Sequence, residues 1–136
     1  MNILVIEDDK ERITQFKSWF NEILSDGDSY TISCDPDEIV DMINKNSYTH
    51  IFWDSDLGGQ EINGEWEAIK SLMVIKKIRA ENGNSLDLLS KQKHIIHSFN
   101  DSGVRDINGW LKYVSSNIVI SKFNTKDGAS WLKKLL

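Results

Sequence analysis

Five short apolar runs, separated by stretches of helical spacing, set the strongest limit on what this chain can fold into. They are "NILVIE" (2–7), "YTISC" (30–34), "THIFWD" (49–54), "KHIIHS" (93–98) and "NIVIS" (117–121). Runs rich in β-branched residues suit a parallel sheet that is covered on both faces. The intervening stretches supply the cover. "KERITQFKSWFNEIL" (10–24) places Ile13, Phe16, Phe20, Ile23 and Leu24 on one helical face. Asp35 offers an N-cap, Pro36 stands at the first helical position and Glu38 completes a capping-box pattern, so a helix is expected over 36–46.

The third helix is expected to be long and to begin near Glu65, with Trp66, Ile69, Leu72 and Met73 as its buried face. Gly58, Gly59 and Gly64 would make the loop before it flexible. "ENGNS" (81–85) ends the pattern, and 86–92 suggests one further turn. Val104, Ile107, Leu111 and Val114 mark a fourth helix, and "KDGASWLKKLL" (126–136) a last one, its lysines near the C-terminus where they suit the dipole. The pattern predicts an α/β fold: one domain over 1–136, built as a doubly wound five-stranded parallel sheet with helices on both faces.

Composition narrows the class. A net charge of −5 with no basic stripe argues against a nucleic-acid partner. No apolar run approaches the ~20 residues of a membrane span, and "MNILVIEDD" is too short and acidic for a signal peptide. The single cysteine, Cys34, reads as a core thiol and suits a reducing compartment, so a cytoplasmic location is expected.

In doubly wound folds the site lies at the carboxyl ends of the strands. Here the first run ends in Glu7, Asp8 and Asp9, the third in Asp54-Ser55-Asp56, the fourth in His97-Ser98, and the fifth leads into Lys122. Such carboxylates suit Mg2+ (or Mn2+), with Asp8 or Asp9 and Asp54 as ligands and Glu7 acting through water. Asp54 can then serve as a carboxylate nucleophile toward a phosphoryl group. The Ser98 hydroxyl and Lys122 ammonium would contact the phosphoryl oxygens.

Other residues read two ways. His97 follows two isoleucines and suits either a packed strand position or an acid–base role. Asn100 caps the fourth helix or joins the site. His50 and His94 read as surface or strand-start residues. Trp19, Trp66, Trp110 and Trp131 read as helix-packing residues, and Trp53 as buried against a helix.

"ILVIEDD", "IFWD", "HS" closing the fourth strand and "SKF" after the fifth together resemble the response-regulator receiver domain, over essentially the whole chain. The resemblance implies a flavodoxin-like receiver fold with Asp54 as phosphoacceptor and Glu7 and Asp8 as the acidic pair. It also implies Ser98 as switch hydroxyl, Lys122 as the family's lysine, and the Asp56 carbonyl as a metal ligand. The loop "SDLGGQEING" lacks the usual proline, Phe123 replaces the proline after the lysine, and Val119 stands where an aromatic switch residue is usual. "WDSDLGG" and "HSFNDSG" are similar to motifs of the cyclic-phosphate processing receivers, which implies functional roles for the Asp56 carboxylate, His97 and Asn100.

Three functions follow from these resemblances. One is a stand-alone receiver phosphorylated by a histidine kinase or phosphotransfer protein. A second is a metal-dependent enzyme acting on a phosphorylated small molecule. The third is a non-phosphorylated pseudo-receiver that binds protein. Asp-x-Asp after a strand also resembles the haloacid-dehalogenase phosphatases, but here the motif follows the third strand and an acidic cluster already precedes it at the first, as in receivers.

Overall fold

A computed structural model describes residues 1–136. In chain order the elements are β1 (Asn2–Ile6), α1 (Lys10–Ile23), β2 (Ser29–Ser33), α2 (Pro36–Lys45), β3 (His50–Trp53), β4 (Asp56–Ile62) and β5 (Glu65–Lys70). They continue with α3 (Leu72–Glu81), β6 (Lys93–Ile96), α4 (Asp101–Leu111), β7 (Ile118–Ile120) and α5 (Ala129–Leu135). The five apolar runs form one parallel sheet in the order β2-β1-β3-β6-β7. This is the doubly wound sheet expected from the sequence, with helices on both faces.

Strand alternation divides the core. Leu4, Ile6, Ile51, Trp53 and Ile96 face α2, α3 and α4, whereas Ile3, Val5, Phe52 and Ile95 face Phe16 and Phe20 of α1 and Trp131, Leu132 and Leu135 of α5. Each large side chain buried this way contributes roughly 1.5–3 kcal/mol relative to exposure. At the start of α2, Asp35 caps the helix by accepting from the Asp37 N–H at 3.0 Å.

Residues 56–70 depart from expectation. They form an antiparallel hairpin outside the main sheet, not the start of a helix, and α3 begins only at Leu72. The cause is Asn63-Gly64. Ile62 pairs with Glu65, so these two residues are the whole turn, and both have positive φ (54° and 80°), as a type I′ turn requires. Trp66, expected on a buried helix face, is 71% exposed, and Met73 is also exposed. Gly59 makes room for the Trp66 ring, because a Cβ there would lie 2.6 Å from the indole.

At the hairpin base the register slips by one residue between Asp56 and Gly59. Gly58 takes φ +80° in this bulge, and Leu57 turns into the core. Two smaller expectations also fail. Cys34 lies just past the end of β2, an edge strand of the sheet, and is exposed. His94, on β6 inside the sheet, is fully buried, not a surface residue.

Candidate functional site

The carboxyl ends of β1, β3 and β6 bring the site together. Glu7 follows β1 and is fully buried. Asp9 caps α1, its side chain accepting from the Arg12 N–H at 2.9 Å, and the cap fixes Arg12 in the first turn above the strand ends. From there the guanidinium grips Glu7 with two prongs, Nε to Oε1 at 2.6 Å and Nη2 to Oε2 at 3.1 Å. The same Nη2 also donates to Asp54 Oδ2 at 3.3 Å.

Glu7 takes three further donors. The Asp8 and Asp9 N–H groups reach Oε2 at 3.0 and 3.3 Å, and His97 Nε2 lies 3.2 Å from Oε1. Burial alone would raise the Glu7 pKa, but bonds from His97 and Arg12 outweigh it and hold the carboxyl well below its usual range.

Asp54 lies just past β3, buried, at the floor of an open cleft of about 460 Å3. Burial and the neighbouring Glu7 carboxylate push its pKa up to about 8, against the opposing pull of Arg12 and the Ser98 hydroxyl. Asp8 lines the same cleft, and burial with the Glu7 charge raises it too. Gly58 leaves space for Asp8, since a Cβ there would come within 3.2 Å of Oδ2.

On the opposite wall Asp56 is bonded to Lys70 of β5 and accepts from Asn100 Nδ2 at 3.0 Å. Lys70 first, then Asn100, lowers the Asp56 pKa despite partial burial. Asn100 also caps α4, its Oδ1 accepting from the Gly103 N–H at 3.1 Å. One side chain thus fills both roles left open by the sequence, as helix cap and as cleft residue.

Several of the anticipated residues stand elsewhere. His97 does not line the cleft. Its ring sits among Phe16, Phe52 and Phe123, with only Nε2 reaching the polar network and Nδ1 left without a partner. Lys122 pairs with Asp101 at 3.5 Å and is absent from the cleft wall. The Asp9 carboxylate is engaged as a helix cap. The cations at the site are Arg12 and Lys70, neither of them singled out in the sequence. Arg12 was detectable as the residue three past an N-cap, and Lys70 only after the Asn-Gly turn.

An oxygen of Glu7, an oxygen of Asp54 and a nitrogen of His97 lie within 4.8 Å of one another. Arg12 already joins the two carboxylates, and His97 gives its near nitrogen to Glu7. Of the four aspartates that line the cleft, Asp9 is engaged as a helix cap and Asp56 by Lys70 and Asn100, which leaves Asp8 and Asp54 as a hard-oxygen pair suited to Mg2+.

Sheet order, helices on both faces and acidic strand ends define the CheY-like receiver fold. The same fold recurs in solved structures. TrrA from Thermotoga maritima, a response regulator solved in complex with Mg2+-BeF, is 19% identical over 99% of this chain and 98% of its own, with a TM-score of 0.56. The receiver domain of Francisella response regulator 1452 is 26% identical over 98% and 94% of the two chains, with a TM-score of 0.55. A CheY-like receiver from Methanospirillum hungatei JF-1 is 15% identical over 98% and 92%, with a TM-score of 0.58. No family model and no curated protein matches the sequence. No helix is long and apolar enough to cross a membrane.

Proposed function

We propose that this chain is a receiver-like domain that accepts a phosphoryl group on Asp54 with the help of a divalent cation. The observation that carries this is the placement of Asp54. Its carboxyl is the buried floor of a cleft at the strand ends, touched by Arg12 and beside Ser98. The receiver fold, and a neighbour solved in complex with Mg2+-BeF, support the same reading.

Asp8 and Asp54 would hold the cation, which supplies charge neutralisation for the acceptor and for the incoming phosphoryl oxygens. Cation binding would displace the Asp54 proton to solvent, and an oxygen of the resulting carboxylate attacks phosphorus to form a new O–P bond. The bond from phosphorus to the donor breaks, and its electron pair leaves with the donor group. Arg12 keeps Glu7 neutralised, so the attacking carboxylate meets less repulsion. Ser98 Oγ accepts the Asn100 N–H at 3.1 Å, which fixes the hydroxyl at the cleft wall, ready to donate to a phosphoryl oxygen. The donor class is a histidine kinase, a phosphotransfer protein or a small acyl phosphate.

Intact-mass spectrometry after incubation with acetyl phosphate and Mg2+ tests this. One phosphoryl adduct is expected on the native chain and none on Asp54→Asn. An adduct of equal yield on Asp54→Asn assigns the acceptor to another residue.

Cleft volume favours a second reading, turnover of a phosphorylated small molecule, because about 460 Å3 exceeds what one phosphoryl group fills. Against it, His97 is packed in the aromatic core and Asp56 is held ionised by Lys70, so neither is placed as a general acid.

A further inference from the structure

The cleft has two cationic side chains on its walls, Arg12 and Lys70, and they are differently engaged. Arg12 is committed by its fork to buried Glu7. Lys70 is bonded to Asp56, but both side chains of this pair are nearly half exposed. Exposed pairs of this kind are weak, and a lysine on a flexible stem exchanges partners at little cost.

Backbone geometry keeps Lys70 close to the acceptor. Asp56 and Lys70 are directly paired at the base of the β4–β5 hairpin, and the next residue, Ser71, donates its N–H to the Ser55 carbonyl at 2.9 Å. The segment that immediately follows Asp54 is thereby stitched to the segment that carries Lys70. Lys122, whose pair with Asp101 is longer and more exposed still, does not line the cleft, so what sets Lys70 apart is its place on the cleft wall.

We infer that Lys70, presented by the hairpin, is a catalytic residue that binds the phosphoryl oxygens during transfer to Asp54. The inference rests on Asp54 being the phosphoacceptor, and it moves the phosphate-holding lysine from the fifth parallel strand to the hairpin. As a phosphoryl group with its negative oxygens enters, Lys70 Nζ exchanges the Asp56 carboxylate for a phosphoryl oxygen. Asp56 keeps the Asn100 amide as its partner. No proton moves in this exchange. The O–P bond forms at Asp54, and the electron pair of the broken bond departs with the donor.

The test measures the rate of adduct formation from acetyl phosphate and Mg2+ by intact mass on native protein, Lys70→Met, Lys70→Arg and Lys122→Met. Circular dichroism melts of each variant establish that the fold is retained. Lys70→Met is expected to slow adduct formation roughly ten- to a hundredfold, the range for one hydrogen bond to a charged group. Lys70→Arg should restore part of that loss, and Lys122→Met should cost less than Lys70→Met. A Lys70→Met protein that reacts at the native rate overturns the inference while leaving Asp54 as acceptor. So does a Lys122→Met loss that exceeds the Lys70→Met loss. Failure of the native protein to form any adduct removes the phosphoacceptor reading, and the role of Lys70 with it.

Discussion

His94 Nδ1 lies 3.0 Å from the Trp53 indole nitrogen, and its Nε2 lies 2.7 Å from the Leu89 carbonyl. The indole can only donate and the carbonyl can only accept, so the ring is fixed as the neutral Nε2–H tautomer. Burial holds its pKa below the ordinary value, the Leu89 carbonyl pulling the other way. A depressed histidine adds stability that is complete above the unfolded pKa of about 6.5 and is lost as pH falls toward the folded value. Denaturant midpoints at pH 7.5, 6.5 and 5.5 should therefore carry this loss, opposed by Asp54, which is pushed up to about 8 and takes its proton in the folded state. In His94→Leu the slope should be smaller by up to one proton, about 1.4 kcal/mol per pH unit. His50 and His97 are depressed too and keep part of the slope. An identical slope in the variant would mean that His94 does not titrate on unfolding.

Single residues also mark how far the sequence can be read. Glu7, Asp8, Asp54 and Ser98 were legible because each follows directly from where an apolar run stops. His97 was ambiguous for a physical reason. Alternation along a strand decides which face a side chain joins, and two isoleucines before it do not say which face holds the site.

Among the elements, the β4–β5 hairpin shows the opposite balance. Trp66, Ile69, Leu72 and Met73 have helical spacing, yet Glu65 to Lys70 fits a strand as well, and the deciding signal was the two-residue Asn63-Gly64 turn. The start of α4 is more tightly determined. A Cβ at Gly103 would lie 1.8 Å from Ser55 Oγ and 2.5 Å from Ser55 Cβ, and Ser55 is buried. Gly103→Ala should cost about 1–3 kcal/mol, the usual penalty for overpacking. Adding Ser55→Gly should recover most of that, so a double-mutant cycle should show strong coupling. Additive losses would place the strain elsewhere.

At the level of the entire molecule, Asp54 sits where the two cores meet. Its neighbour Trp53 packs toward α2, α3 and α4, while Phe52 packs toward α1 and α5. A carboxyl held there beside Glu7 costs stability, which function retains. Asp54→Asn should melt a few degrees higher than native protein without divalent cation, since the crowded charge is gone. The native protein should gain about 2.7 kcal/mol when Mg2+ reaches a hundred times its dissociation constant, and Asp54→Asn should lose most of that gain. Equal Mg2+ stabilisation of both proteins would place the cation away from Asp54.

The hairpin also bears on how the chain finds its fold. β3 and β6 are neighbours in the sheet although about 43 residues separate Trp53 from its partner Ile96. Parallel pairings of such range form slowly, because the intervening loop must close before any contact rewards it. Joining Asp56 to Lys70 early removes about 14 residues from that loop. By the logarithmic dependence of closure entropy this lowers the cost by about 0.3 kcal/mol. Closed by two residues, the hairpin is the most local pairing in the chain, of a kind that forms within about 1–10 μs. It acts as a clip on the longest crossover, shortening the search that joins the two halves of the sheet.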